Sequence, residues 1–131
     1  MTIAVTSSVL DALLREARAA RPREACGLLF GTDDAIAAHR PAVNVHPNPA
    51  THFEIDPQAL IDAHRAMRQG GPRLVGYYHS HPVGPPEPSA TDRTQAARDS
   101  MVWAIAGEGR VELWRAGEHG FEALPYRVAP A

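Results

Sequence analysis

Residues 73–92 read Arg73-Leu74-Val75-Gly76-Tyr77-Tyr78-His79-Ser80-His81-Pro82-Val83-Gly84-Pro85-Pro86-Glu87-Pro88-Ser89-Ala90-Thr91-Asp92. The first nine are rich in apolar and aromatic side chains and read as a buried strand. Side chains alternate along a strand, so Val75, Tyr77, His79 and His81 are expected on one face. At the strand's end the two imidazoles can then turn toward a common point. Pro82 cannot donate to a sheet ladder, so regular pairing is expected to stop there. Val83 to Pro88 is a proline-set connector unsuited to a helix. Ser89-Ala90-Thr91-Asp92 has the form of a helix start, with Ser89 as N-cap and Asp92 at the third helical position. Strand end, stiff loop and helix start place Asp92 on a short element that can fold back over the histidines.

Two imidazoles and one carboxylate suit zinc, and a catalytic zinc site keeps three protein ligands with a fourth position open. Each residue also has a plainer reading. His79 and His81 could simply end a strand, and Ser89 with Asp92 could be an ordinary capping box. The capping and metal-binding readings are compatible for Ser89 but compete for the carboxylate of Asp92. A hydrolytic site needs, besides the ion, a base and a donor for the oxyanion. Ser89 is placed for the second role, and the base must come from elsewhere in the chain.

That base is sought in Arg21-Pro22-Arg23-Glu24-Ala25-Cys26-Gly27-Leu28-Leu29-Phe30-Gly31. A Pro-x-Glu-x-Cys-Gly-Leu-Leu-x-Gly strand, then His-Ser-His-Pro, then Ser-x-x-Asp, resembles the JAMM/MPN+ family of zinc metallopeptidases. The stretch Phe53-Glu54-Ile55-Asp56-Pro57 is similar to short bacterial members. The resemblance implies one zinc ion held by His79, His81 and Asp92, with Glu24 as general acid/base and Ser89 stabilising the tetrahedral intermediate. It implies an α/β fold, a JAMM/MPN-type sandwich in which a curved mixed β-sheet is flanked by about three helices. It further implies a peptidase or isopeptidase that cuts after the C-terminal Gly-Gly of a small ubiquitin-like sulfur-carrier protein. Two alternatives stand beside this one. One is a non-catalytic module that binds ubiquitin-like proteins, and the other is a metallopeptidase associated with cell wall or phage tail.

Other His-x-His chemistries do not fit. Zinc base deaminases need His-x-Glu and a later Pro-Cys-x-x-Cys, which one cysteine cannot supply. The metallo-β-lactamase pattern wants Asp-His soon after the pair, where this chain has Val83-Gly84, and Val83 also stands where a histidine triad would continue. Cys26 reads as a small buried apolar residue with no feature that lowers a thiol pKa. His46 and His52 lie in a Pro/Asn-rich loop and could shape a substrate groove with Asn48. His39, His64 and His119 read as surface or loop residues.

At 131 residues the chain is expected to form a single domain over 1–131 without disulfide staples. One cysteine and no evident signal sequence suggest a cytoplasmic protein. No apolar run is long enough for a membrane span. A formal charge of −2 argues against nucleic acid as partner. All thirteen basic residues are arginine, so the chain offers no lysine amine for isopeptide attachment. Nothing in the pattern specifies an oligomeric state.

The remaining elements follow from periodicity. A strand is expected at 3–5 and a helix from about Ser8 to Ala20, with Ser8-x-x-Asp11 as capping box. Strands are expected at 25–30, 35–44 and 53–55. A second helix opens with Asp56 and Pro57, buries Leu60, Ile61, His64 and Met67, and stops at Gly70-Gly71-Pro72. A third helix is expected from Ala90 to about Ser100. Strands at 101–106, 110–115 and 121–128 read as a C-terminal β-meander.

Overall fold

The computed structural model describes residues 2–130. In chain order the elements are β1 (Ile3–Thr6), α1 (Ser7–Ala20), β2 (Cys26–Thr32), β3 (Ala35–Ala42), α2 (Pro57–Arg68) and β4 (Leu74–Ser80). They are followed by α3 (Ala90–Gln95), β5 (Val102–Gly107), β6 (Arg110–Gly117), β7 (Gly120–Ala123) and β8 (Tyr126–Ala129). The eight strands form one mixed sheet in the order β7-β6-β5-β4-β2-β3-β1-β8. Pairing is parallel for β1 with β3, β1 with β8 and β4 with β5, and antiparallel elsewhere. Three helices flank a mixed sheet, as the α/β expectation required.

The sheet must curl. β7 and β8 stand at opposite ends of the strand order, yet only Leu124 and Pro125 separate them. Three Cα steps reach about 11 Å at most, so the two edges lie close together. Cross-links sit at that seam: Leu124 N donates to Leu113 O at 2.9 Å and Tyr126 Oη to Val111 O at 2.6 Å. The expected meander is therefore corrected. β5, β6 and β7 do run antiparallel in sequence, but Pro125, which has no N–H to give a ladder, divides the last strand. Its second half crosses to pair with β1.

α1 fills one side of the curl, touching β1, β3, β4, β5 and β6. Val9 and Leu13 join Ile3, Val5, Leu29, Ile36, Tyr78, Val102 and Leu113 in one buried cluster. On the other face Cys26, Leu28, Phe30, Ile55, Ala63 and Leu74 form a second cluster under α2. The metal-site residues of β4 belong to this second face. Tyr77 and His79 share it, but Val75 packs with the α1 cluster, against expectation. A register shift between Leu29 and Phe30 leaves Val75 as an extra residue in β4 and turns its side chain over.

Three helix details differ from the sequence reading. Thr6, rather than Ser8, caps α1, accepting from Val9 N. α2 begins as expected, with Asp56 accepting from Gln58 N and Pro57 in the first turn. Its buried stripe, however, is Ala59, Leu60, Ala63 and Met67, leaving Ile61 48% exposed and His64 in solvent. Spacings of three and four select that set, and Ile61 and His64 sit one position past it. α3 ends at Gln95 instead of Ser100, because the polar, small-sided residues after it offer no apolar stripe to dock.

Candidate metal centre

His79 is the penultimate residue of β4, and its ring is held by packing. Phe53 stacks on its face, with centroids 4.3 Å apart, and Trp103 meets it edge-on at 5.5 Å. The residue is 1% exposed, and its Nδ1 has no hydrogen-bond partner among the described residues. His81 lies just past the strand, where its backbone N–H donates to Ala106 O at 2.8 Å. Its Nδ1 lies 2.8 Å from Pro85 O, so Nδ1 carries the hydrogen and Nε2 keeps a free electron pair. The proline connector is thus more than a spacer: one of its carbonyls sets the tautomer of a ligand. Trp114 Nε1 donates to Pro86 O at 3.1 Å and steadies the same loop.

Asp92 arrives from α3. Both halves of the capping box are formed: Asp92 N donates to Ser89 Oγ at 3.0 Å, and Ser89 N donates to Asp92 Oδ2 at 3.0 Å. The same Oδ2 stands 3.1 Å from His79 Nε2 and 3.1 Å from His81 Nε2, and the two Nε2 atoms are 3.2 Å apart. Capping and facing the histidines are compatible after all, since one carboxylate oxygen does both.

The triangle of ligand atoms can be tested against an ion. Ligands about 2.0–2.1 Å from a shared tetrahedral zinc stand about 3.3 Å apart. Edges of 3.1, 3.1 and 3.2 Å match this closely, and His79, His81 and Asp92 are the metal-ligating group among the described residues. Two imidazole nitrogens and a carboxylate oxygen meet at one point, as ligands of a shared cation do. The donor set fits a divalent cation.

Electrostatics agree with the geometry. Burial lowers the pKa of His79, against the pull of Asp92, which keeps the ring neutral and able to ligate. Burial also depresses His81, but Asp92 and the Pro85 carbonyl outweigh it and raise it overall. Burial alone would raise Asp92, yet contacts from His79, His81 and Ser89 hold its carboxyl far below the usual range. Asp92 is therefore an anion at neutral pH.

Glu24 precedes β2 and is 5% exposed. Its backbone is clamped on both sides: Glu24 N donates to Pro49 O at 2.7 Å and Asn44 Nδ2 to Glu24 O at 3.1 Å. The next residue, Ala25, donates to Ser80 Oγ at 2.8 Å, so the serine between the two histidines ties β2 to the metal strand. Glu24 Oε1 is buried without a partner. Glu24, His81 and Ser89 line one cleft of about 480 Å³ with Pro22, Pro82 and Val83. Burial pushes the Glu24 carboxyl up to about 7, with His81 opposing and Asp92 adding to the rise.

All five residues singled out in the sequence come together at this cleft or at its metal-facing wall. Cys26 is buried nearby, and its thiol is pushed up to about 12 by burial, with Glu24 and Glu16 adding to it, so it is inert. His46 and His52 stack on each other 4.5 Å apart. His46 lines a second cavity of about 440 Å³, which shares the Phe53 and Trp103 walls of His79. Sequence reasoning missed Asn44, Phe53, Ser80, Trp103 and Trp114. Of these, Phe53 alone had a signal, as part of the Phe53–Pro57 motif.

A family model described as prokaryotic homologs of the JAB domain matches residues 6–117. The desampylase of Haloferax volcanii is 35% identical over 116 residues, spanning 83% of this chain and 84% of that protein. A probable TtuB-protein conjugate cleaving protease of Thermus thermophilus is 43% identical over 102 residues, 78% of this chain and 65% of that protein. A solved structure of a Desulfitobacterium hafniense protein is 29% identical and superposes with a TM-score of 0.85, covering 99% of this chain and 94% of the other. No helix among the described residues is long and apolar enough to cross a membrane.

Proposed function

The chain belongs to the prokaryotic JAB-domain family, and from that premise we propose that it is a zinc peptidase acting on ubiquitin-like sulfur-carrier proteins. The bond it hydrolyses is the one after the carrier's C-terminal Gly-Gly, in linear or isopeptide linkage. The observation that carries this reading is a triangle of three ligand atoms whose His81 corner lines one cleft with Glu24, which has a buried, unpartnered Oε1, and with Ser89. Relatives named desampylase and TtuB-protein conjugate cleaving protease support the substrate class.

His79, His81 and Asp92 would hold one zinc ion, which when bound acts as a Lewis acid and lowers the pKa of a water to about 7. Glu24 takes the proton from the attacking water and returns it to the leaving amine. A carboxyl raised to about 7 is suited to both transfers near neutral pH. Ser89 Oγ accepts from the Asp92 amide, so its hydroxyl hydrogen is free to donate to the oxyanion. Phe53 and Trp103 keep water from the buried ring of His79. A diglycine tail, bare beyond Cα, suits a cleft walled by Pro22, Pro82 and Val83.

The test is to incubate the zinc-loaded protein with a carrier bearing a short extension beyond Gly-Gly. Loss of the extension mass is expected. Intact carriers throughout would overturn the assignment.

A further inference from the structure

Beyond α3 lies a third pocket of about 250 Å³, lined by Arg93, Arg98 and His119 with Ala97, Gly117 and Phe121 among its walls. No carboxylate is among its lining residues. Among the described residues, the ion pairs away from His79, His81 and Asp92 join Arg73 to Asp33, Arg110 to Glu108 and Glu112, and His39 to Glu16. The side chains of Arg93, Arg98 and His119 make neither ion pair nor hydrogen bond among the described residues. Arg93, Arg98 and His119 therefore line one concavity whose wall holds no carboxylate, the nearest in sequence being Asp92, Asp99 and Glu118 outside it. Alanines and glycines around them keep the space open.

The pocket's place matters as much as its charge. Arg93 directly follows the metal-site residue Asp92 on α3. Phe121 on its wall meets Trp103 edge-on at 5.0 Å, and Trp103 meets His79 at 5.5 Å. Ala97 lines both this pocket and the 440 Å³ cavity beside His79. The basic pocket and that cavity are thus neighbours, and a substrate chain lying along the cavity would reach Arg93 and Arg98 by crossing residues 96–99.

We propose that Arg93, Arg98 and His119 form a carboxylate-binding subsite that grips an acidic side chain of the protein substrate. The nature of that substrate rests on the function proposed above. Guanidinium forks match a carboxylate in shape and charge. The pocket lies at the carbonyl end of α3, whose negative partial charge opposes a doubly charged phosphate more than a singly charged carboxylate, so the attraction comes from the two arginines. Charges at such a rim act mainly on encounter and on salt dependence.

The test has two arms. Isotope-labelled, zinc-loaded protein is titrated with sodium glutarate against sodium chloride at matched ionic strength. The subsite predicts saturable amide shifts at residues 93–98 and 117–121 that vanish in the Arg93→Ala/Arg98→Ala protein. Shifts there that do not saturate, or that survive the double substitution, overturn it. In the second arm, the double substitution raises KM about five-fold for an extended carrier protein, and the rise shrinks with added salt. It leaves kcat, and KM for a peptide of the carrier's last residues, unchanged. An unchanged KM for the protein, or the same rise for the peptide, contradicts the role in substrate binding. Should the wild-type protein cut no carrier, the proposed function falls, while the glutarate titration still decides the subsite by itself.

Discussion

Asp92 Oδ2 accepts the N-cap amide of its own helix while facing two imidazole nitrogens. One atom fixes the helix start and completes the ligand triangle, and it accepts from the Ser89 backbone N–H, which a side-chain substitution keeps. Ser89→Ala should lower turnover by about 10²–10³ through loss of an oxyanion donor. It should also cost about 1 kcal/mol of stability through loss of the cap. Steady-state kinetics and thermal unfolding check the two effects separately. Glu24 offers a cleaner division. Glu24→Gln should keep one zinc per chain, measured by elemental analysis, and lose about 10²–10⁴ in turnover. Its burial also has a sign that can be checked without metal. The folded carboxyl is pushed up to about 7 from an ordinary 4.5, so the contribution of Glu24 to metal-free stability is fully present below 4.5 and is lost as pH rises through 7. The loss is about 3 kcal/mol at most. Metal-free Glu24→Gln should therefore resist denaturant better than metal-free wild type at pH 8, with the advantage fading toward pH 5. A less stable variant at pH 8 would count against burial as the cause.

At the scale of elements, the strand, the loop and the short helix of residues 74–95 were each legible because their signals are local. Proline stops a strand, and Ser-x-x-Asp starts a helix, whatever surrounds them. Most of what holds these elements in place was not legible, since the partners lie far along the chain. Ala25 is 55 residues from Ser80, Trp114 is 28 from Pro86, and Asn44 is 20 from Glu24. Helix two shows the same limit: its start could be read from Asp56 and Pro57, but its buried face depended on where β4 lay. Close packing between elements explains two glycines. A Cβ on Gly107 would come within 2.9 Å of Gly84 O in the ligand-bearing loop. One on Gly27 would meet the Tyr78 ring and hydroxyl at 2.4–2.5 Å and Arg40 O at 2.3 Å. Tyr78 lies over Gly27 and donates to Glu16 at 2.5 Å, tying the metal strand to α1. Gly27→Ala should destabilise the protein by about 1–3 kcal/mol through overpacking. An unchanged unfolding midpoint would contradict that packing.

Over the whole molecule, the fold class followed from the motif and from the alternation of strands and helices, but the closure of the sheet did not. It depends on Pro125 sending eight C-terminal residues of apparent strand to two opposite edges. The curl leaves one face to α1 and the other to the metal centre and α2. His79 on β4, His81 in the loop after it and Asp92 on α3 would then hold a metal ion as a clamp between elements. Chelation should accordingly lower the unfolding midpoint of the zinc-loaded wild type, by up to about 4 kcal/mol of stability at a thousand-fold excess of zinc over its Kd. His79→Ala, lacking the ion, should show no further drop with chelator. Hydrolysis itself is tested most directly by the mass of a ubiquitin-like carrier extended past its Gly-Gly, after incubation with protein holding one zinc per chain. The expected result is a carrier ending at Gly-Gly with wild type and an intact one with Glu24→Gln. An intact carrier with both, or equal trimming by both, would contradict the account.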